Sequence, residues 1–166
     1  LDLTSIEAGR LALVLEAVPV APLADDVLAL VQSAVQRPDL TLTRVGGDGV
    51  QAWADAKRLR QVLINLLSNA TKYNRPGGSV RVVIDALGGQ ARLQVVDTGP
   101  GLTADECAQL FEPFNRLKQA RGPIEGTGIG LTVTRGLVTL MDGAITVCST
   151  PGQGSTFSVL LPLPPR

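Results

Sequence analysis

Apolar residues recur every three or four positions in three stretches of the chain, a spacing that predicts amphipathic helices. The strongest stretch begins after Asp55, a residue type that often caps helices, and runs to about Tyr73. Its apolar stripe consists of Leu59, Val62, Leu63, Leu66, Leu67 and Ala70. Residues 23–36 and 131–141 form the other two predicted helices.

Two further helices follow from local signals. Thr103 and Glu106 have the spacing of a capping box, which predicts a short helix after Thr103. Residues 1–17 have the pattern of the end of a helix, which Pro19 and Pro22 should terminate. Because the chain begins inside this pattern, we expect it to be a piece of a longer protein.

Shorter apolar runs between glycine-containing turns predict six strands. These runs are residues 41–45, 49–53, 80–87, 91–96, 144–148 and 156–161. Gly88 and Gly89 separate the third run from the fourth and are typical of a hairpin turn. The order of helices and strands predicts an α+β domain with a mixed, largely antiparallel sheet and helices on one face.

The composition argues against several classes of function. The 166 residues suit one domain, and 15 basic against 15 acidic residues leave no net charge, so we expect no nucleic-acid partner. Aromatic residues make up only 3% of the chain, which argues against binding by base stacking. With two cysteines and no histidine, a zinc site is not expected. No apolar run is long enough to predict direct insertion into a membrane.

A polar stripe lies beside the apolar face of the helix predicted over residues 55–73. At about 100° per residue, Arg58, Asn65, Asn69 and Lys72 fall within about 60° of one another. An amide oxygen suits Mg²⁺ next to phosphate oxygens, and a lysine one turn further on can supply positive charge to a phosphate chain. The alternative interpretation is a solvated polar face, and this stripe alone leaves both interpretations open.

An apolar strand that ends in Asp97 leads into a glycine loop. The Asp97 carboxylate can accept a hydrogen bond from an exocyclic amine such as that of adenine. Gly99 and Gly101 would let the backbone approach a flat base closely, and Pro100 would stiffen the loop. The competing interpretation is a tight turn with an Asx-type hydrogen bond, which this segment taken alone favours.

Three glycines at alternate positions, Gly126, Gly128 and Gly130, precede the helix predicted from Leu131. Unpaired N–H groups and the positive end of a helix dipole make this segment a candidate phosphate cradle. It differs from a dinucleotide-binding loop because a polar loop, not a strand, precedes it. It differs from a Walker loop because no Gly-Lys-Ser/Thr follows.

Two of the three phenylalanines, Phe111 and Phe114, lie beside a polar, glycine-containing stretch over residues 115–125. This stretch is predicted to be a mobile loop. The two aromatic side chains suggest a hinge or docking patch, although both could simply fill the core. Arg116 is a candidate contact for a γ-phosphate.

Five segments occur in one order along the chain. They are Asn65-Leu-Leu-Ser-Asn69-Ala-Thr-Lys72-Tyr73, Asp97-Thr-Gly-Pro-Gly101, Phe111-Glu-Pro-Phe114, Gly126-Thr-Gly-Ile-Gly130-Leu and Gly154-Ser-Thr156-Phe157. Together they resemble the N, G1, F, G2 and G3 boxes of sensor histidine kinases, which belong to the superfamily of gyrase-type, heat-shock-chaperone and mismatch-repair ATPases. The resemblance implies the Bergerat fold, a two-layer α/β sandwich. It also implies that residues 1–17 end a dimerisation helix with its linker and that residues 18–166 are the catalytic domain.

The resemblance implies a role for each candidate residue. Asn69 would bind Mg²⁺, Asp97 would bind the adenine amino group, and the glycines of the second loop would line the phosphates of ATP beneath a lid of about 115–125. The predicted catalytic residues are Asn65, Lys72 and Arg116. The predicted nucleotide-binding residues are Asn69, Tyr73, Asp97, Gly99, Gly101, Gly126, Thr127, Gly128, Ile129, Gly130, Leu131 and Thr156.

Asn65 helps to decide between phosphate transfer and hydrolysis. In the hydrolytic relatives, the residue four before the Mg²⁺-binding asparagine is a glutamate that activates water, whereas an amide cannot take a proton at neutral pH. The resemblance therefore implies transfer to a histidine. Since the chain has no histidine, the acceptor is expected on a dimerisation domain, and a response-regulator receiver domain is the expected downstream partner of this cytoplasmic domain.

Two alternatives remain open at this point. One is an ATPase, or a serine kinase of the anti-sigma type, from the same superfamily. The other is a nucleotide-sensing or protein-interaction module without catalysis.

Overall fold

The computed structural model describes residues 12–109 and 128–165. Its helices are α1 (Val20–Val35), α2 (Ala56–Lys72), α3 (Ala104–Gln109) and α4 (Gly128–Leu140). Its strands are β1 (Glu16–Pro19), β2 (Thr41–Gly46), β3 (Gln51–Ala54), β4 (Ser79–Leu87), β5 (Gln90–Asp97), β6 (Ala144–Thr150) and β7 (Gly154–Pro162). None of the helices in these ranges is both long and apolar enough to cross a membrane.

Five strands form one sheet in the order β2-β4-β5-β7-β6. Only the β2–β4 pair is parallel, so the predicted mixed, largely antiparallel sheet is confirmed. Because side chains alternate between the two faces of a strand, one face buries every second residue, as Ala91, Leu93 and Val95 of β5 do. Helices α1, α2 and α4 share one hydrophobic core with that face.

Helix α2 forms where its apolar spacing predicted. All six residues of the predicted stripe are buried. Asp55 caps the helix, and its Oδ1 accepts a hydrogen bond from the Arg58 N–H at 3.1 Å. The capping box before α3 is also confirmed, with reciprocal bonds of 2.9 and 3.1 Å between Thr103 and Glu106. The β4–β5 hairpin turns at Gly88 and Gly89, as predicted.

The N-terminal prediction is wrong where the structure can be compared with it. Residues 12–15 belong to no helix, and Glu16–Pro19 is a strand paired with β3. Pro19 disfavours helical backbone at Val18, the residue before it, and the Val14 N–H donates to Asp55 Oδ2 at 2.9 Å. Residues 1–11 lie outside the described part of the chain.

Other boundaries differ in ways that follow from local chemistry. Helix α1 begins at Val20, not 23, because Pro22 lies in the first turn, where a helix needs no N–H donor. The runs predicted over 41–45 and 49–53 both form strands, yet they do not pair with each other. Helix α4 begins at Gly128, three residues before the predicted start.

Candidate functional site

The Asp97 loop begins on the face of the sheet that packs against the helices. Asp97 ends β5 two residues after the buried Val95, in register with Val80 and Ser155 on the neighbouring strands. Its Oδ1 accepts a hydrogen bond from the Gly99 N–H at 2.8 Å. The Asx-type turn is therefore present. This turn is compatible with recognition of a nucleotide base by Asp97, because a carboxylate can accept several hydrogen bonds at once.

Close backbone packing explains two glycines of this region. Gly101 has a φ of +74°, and a Cβ there would overlap the Thr150 carbonyl oxygen. Gly99 is buried, and a Cβ there would lie 3.0 Å from Asp97 Oδ1 and 3.2 Å from the Tyr73 carbonyl oxygen. The loop therefore lies directly against the end of α2 on one side and the end of β6 on the other.

Hydrogen bonds join the Asp97 loop to the β6–β7 turn. The Gly152 N–H donates to the Pro100 carbonyl at 2.7 Å, and the Leu102 N–H donates to Ser149 Oγ at 2.7 Å. Ser149 Oγ also donates to the Gly154 carbonyl at 2.9 Å. The second and last predicted boxes thus form one connected structure.

Asn74 and Thr98 were not among the predicted site residues, although each directly follows one of them. Asn74 Nδ2 donates to the Ser79 carbonyl at 2.9 Å, and its Oδ1 accepts from Thr98 Oγ1 at 3.0 Å. Thr98 Oγ1 accepts from the Ser79 N–H at 2.8 Å. Asn74 is buried, so this network supports the Asp97 loop from the interior of the domain. Adjacency to Tyr73 and Asp97 was the available sequence signal.

The polar stripe of α2 is not a uniformly solvated face. Asn65 is half-buried, and its Nδ2 donates to Oγ1 of the fully buried Thr134 in α4 at 3.0 Å. Asn69 is half-buried, and within the described ranges its side-chain amide makes no hydrogen bond. Lys72 is exposed at the end of the helix. The stripe therefore combines a fixed amide with two groups that the described fold leaves available for a ligand.

Strand alternation separates Thr156 from Asp97. Ser155 lies opposite Asp97 and is 8% exposed, whereas Thr156 lies opposite Val96 and Cys148. The side chain of Thr156 therefore projects from the opposite face of the sheet to that of Asp97. Ser155 is the hydroxyl residue of this box that shares a face with Asp97.

Several predicted site residues fall outside the described ranges. These are Phe111, Phe114, Arg116, Gly126 and Thr127, together with the rest of the predicted lid over 115–125. Gly128, Ile129 and Gly130 lie in the first turn of α4, and the half-buried Leu131 packs against the core. The N–H groups of a first helical turn have no acceptor within the helix, as a phosphate cradle requires.

An open cleft of about 390 Å³ lies beside the Asp97 loop. The Arg75 guanidinium forms part of its wall, donating through Nε to the Thr98 carbonyl and through Nη2 to the Gly152 carbonyl at 3.4 Å. The cleft is lined by Tyr73, Asn74, Arg75, Gly99, Pro100 and Gly152. Two of the predicted nucleotide-binding residues, Tyr73 and Gly99, therefore share one concave surface.

Comparison with known proteins assigns the family. The family described as histidine kinase-, DNA gyrase B-, and HSP90-like ATPase matches residues 54–165. The chain belongs to this family. The circadian input-output histidine kinase CikA of Synechococcus elongatus is 43% identical over 166 residues, covering 98% of this chain and 22% of CikA. The prediction of a histidine kinase ATP-binding domain is confirmed at this level.

Solved structures of the family share the fold. Full-length ShkA in complex with AMPPNP is 30% identical with a TM-score of 0.85, over 98% of this chain and 34% of that one. The catalytic domain of histidine kinase ThkA is 22% identical with a TM-score of 0.79, over 91% of this chain and 97% of that one. The predicted α+β sandwich is confirmed. The chain spans about a fifth to a third of the length of the first curated relatives it matches.

Proposed function

We propose that this chain is the ATP-binding catalytic domain of a sensor histidine kinase and transfers the γ-phosphate of ATP to a histidine on a separate dimerisation domain. The observation that carries the proposal is the loop after β5. There a carboxylate ends a buried strand, a side chain has no room at Gly101, and a Cβ at Gly99 would be in tight contact with Asp97 and Tyr73. Such a loop can approach a flat base closely while Asp97 accepts a hydrogen bond from its amino group.

The other residues divide between base, metal and phosphate. Ser155 shares the sheet face of Asp97, so we assign it to the base pocket in place of Thr156. Asn69 offers an amide oxygen suited to Mg²⁺, and Lys72 offers positive charge one turn further on. The backbone N–H groups at the start of α4 can donate hydrogen bonds to the phosphates of ATP. When bound, ATP would supply the phosphoryl group, and Mg²⁺ would neutralise part of the negative charge of the phosphates.

The choice of transfer over hydrolysis rests on Asn65. Its neutral amide cannot act as a general base for water. Its Nδ2 is engaged by Thr134 at 3.0 Å, which fixes the side chain between α2 and α4. A domain that holds ATP without activating water is suited to deliver the phosphoryl group to another acceptor. The 166 residues contain no histidine, so that acceptor is placed on the dimerisation domain.

The same proposal names the partners and the compartment. The partners are the histidine-containing dimerisation domain and, after it, the receiver domain of a response regulator. Relatives named as a histidine kinase (CikA) and as a sensory kinase (SasA) support both. ATP as the phosphoryl donor supports a cytoplasmic location for this domain.

A reconstituted transfer reaction tests the function. The chain and ATP labelled at the γ-phosphate are mixed with a separately supplied dimerisation domain of the parent kinase. We expect acid-labile phosphohistidine on the dimerisation domain and none on this chain. Steady release of inorganic phosphate without transfer would support an ATPase, and absent ATP binding would support a module without catalysis.

Asn69 provides a prediction about the metal. Asn69→Ala is expected to weaken Mg²⁺-ATP binding by about tenfold, because one interaction with a charged group is lost. Binding of ADP without metal should change less. Calorimetric titration with Mg²⁺ and with EDTA measures both values in one variant. An equal loss under the two conditions would contradict the metal role.

A further inference from the structure

Arg37 lies between α1 and β2, outside every predicted box, yet its guanidinium reaches the end of α2. Its Nη1 and Nη2 lie within hydrogen-bonding distance of four backbone carbonyls that are 34 to 38 residues away in the sequence. Because two of the five N–H groups of the guanidinium bond Asp39, these carbonyls share the other three. The carbonyls belong to Thr71, Lys72, Asn74 and Arg75, at 3.2, 3.5, 3.4 and 3.4 Å. Arg37 therefore contacts the backbone on both sides of Tyr73.

A guanidinium suits this position for two physical reasons. The last carbonyls of a helix have no partner within it, and the helix dipole makes that end negative. Arginine presents five donors in a rigid planar fork and keeps its charge at all ordinary pH values. One side chain can therefore satisfy several carbonyls at once and fix their relative positions.

Asp39 holds the guanidinium in place. Asp39 Oδ1 and Oδ2 accept from Arg37 Nε and Nη2 at 3.0 and 2.9 Å, and Oδ2 also accepts from the Gly77 N–H at 3.0 Å. The hydrogen bonds from Arg37 and Gly77 hold the pKa of the Asp39 carboxyl well below its usual range. Through these bonds the ion pair holds the carbonyls of Thr71 and Arg75 and the N–H of Gly77, at the two ends of the turn after α2.

This turn connects the two halves of the candidate nucleotide site. The turn begins where α2 ends, at Lys72 and the C-cap residue Tyr73. In the middle, the Asn74 side chain bonds Thr98 Oγ1, directly after Asp97. The Tyr73 carbonyl also lies against Gly99. A displacement of residues 72–78 would therefore move the end of α2 and the Asp97 loop together.

We propose that Arg37, with Asp39, is a positioning residue for nucleotide binding, because its contacts hold residues 71–78 so that Lys72, Tyr73 and the Asp97 loop have their binding geometry before ATP arrives. This inference rests on the proposed function. It assigns no contact between Arg37 and the nucleotide, so its effect is exerted through the backbone that it holds.

The test compares ion pairs of similar exposure. The Arg37–Asp39 side chains are 24% and 39% exposed, and the Arg92–Asp85 side chains of the β4–β5 hairpin are 30% and 44% exposed. Arg37→Ala is expected to weaken ATP binding about tenfold, and Arg92→Ala by less than about twofold. Arg37→Lys should recover only part of the affinity, because an ammonium keeps the charge and loses the fork.

Calorimetric titrations are run at a temperature where circular dichroism shows every variant to be folded. A lower Tm for Arg37→Ala with unchanged ATP affinity would overturn the proposal, since it would reduce Arg37 to a structural role. An equal loss of affinity in Arg92→Ala would overturn it as well.

Amide hydrogen exchange without nucleotide provides a readout that does not depend on ATP. Arg37→Ala is expected to speed exchange of the Asn74, Gly77, Gly78 and Gly99 amides, whereas Arg92→Ala should leave them unchanged. Unchanged exchange in Arg37→Ala would contradict the positioning role. If the unmodified chain itself fails to bind ATP, the proposed function fails, and the exchange data alone decide whether Arg37 orders this segment.

Discussion

Asp97→Asn is expected to weaken ATP binding by about 10- to 100-fold, because a charged acceptor contributes roughly 1.5–3 kcal/mol to a hydrogen bond. The asparagine keeps an oxygen at the position that accepts the Gly99 N–H at 2.8 Å. The loop should therefore keep its turn while the base loses its charged partner. Calorimetric titration of ATP into both proteins measures the difference.

The control for this substitution is Asp26→Asn, which makes the same chemical change at an exposed position of α1. Its ATP affinity should match that of the unmodified chain. Unchanged affinity in Asp97→Asn would remove the adenine assignment, whatever the control shows.

Gly154→Ala is expected to destabilise the domain by about 3–4 kcal/mol, a large effect for one methyl group. Gly154 has a φ of +124°, which side-chain-bearing residues rarely adopt, and a Cβ there would overlap the Asp97 carbonyl oxygen. The contact is with backbone, which cannot move aside without shifting Asp97. For a domain of this size we expect the Tm to fall by about 10 °C, together with a loss of ATP affinity.

Gly152→Ala separates the steric effect from the backbone effect. Gly152 lies in the same turn with a φ of +80°, but apart from its chain neighbours no residue has a heavy atom within 4 Å of the position of its Cβ. This variant should lose only about 1 kcal/mol, the cost of the left-handed backbone. Thermal unfolding followed by circular dichroism measures the Tm of both variants. Similar Tm values would contradict the close approach of Gly154 to the Asp97 carbonyl.

The last box shows how strand alternation distinguishes two neighbouring hydroxyl residues of one motif. The last box contains Ser155 and Thr156, and the motif by itself favoured Thr156. The apolar alternation of Phe157, Val159 and Leu161 continues back to Ser155, which places Ser155 on the core face. That signal was present in the sequence, and the register with Asp97 made its meaning clear.

The N-terminal segment illustrates a different kind of error. Helical spacing over residues 1–17 predicted a helix, but residues 16–19 pair with β3 through contacts with a partner about 35 residues further along the chain. A short apolar run fits a helix or a strand equally well. In this case the partner strand and Pro19 favour the strand.

The sequence by itself determined the local elements and the order of the motifs. Helix α2, the β4–β5 hairpin, the capping box and the Asp97 loop all depend on residues within a few positions of one another, so their patterns are visible in one dimension. Only the tertiary structure decided which distant groups lie together at the candidate site. The Asn65–Thr134 bond spans 69 residues, the Asn74–Thr98 bond 24, and the first contact of Arg37 with α2 spans 34. Such contacts depend on how the packed core brings elements together, and no local pattern records that arrangement.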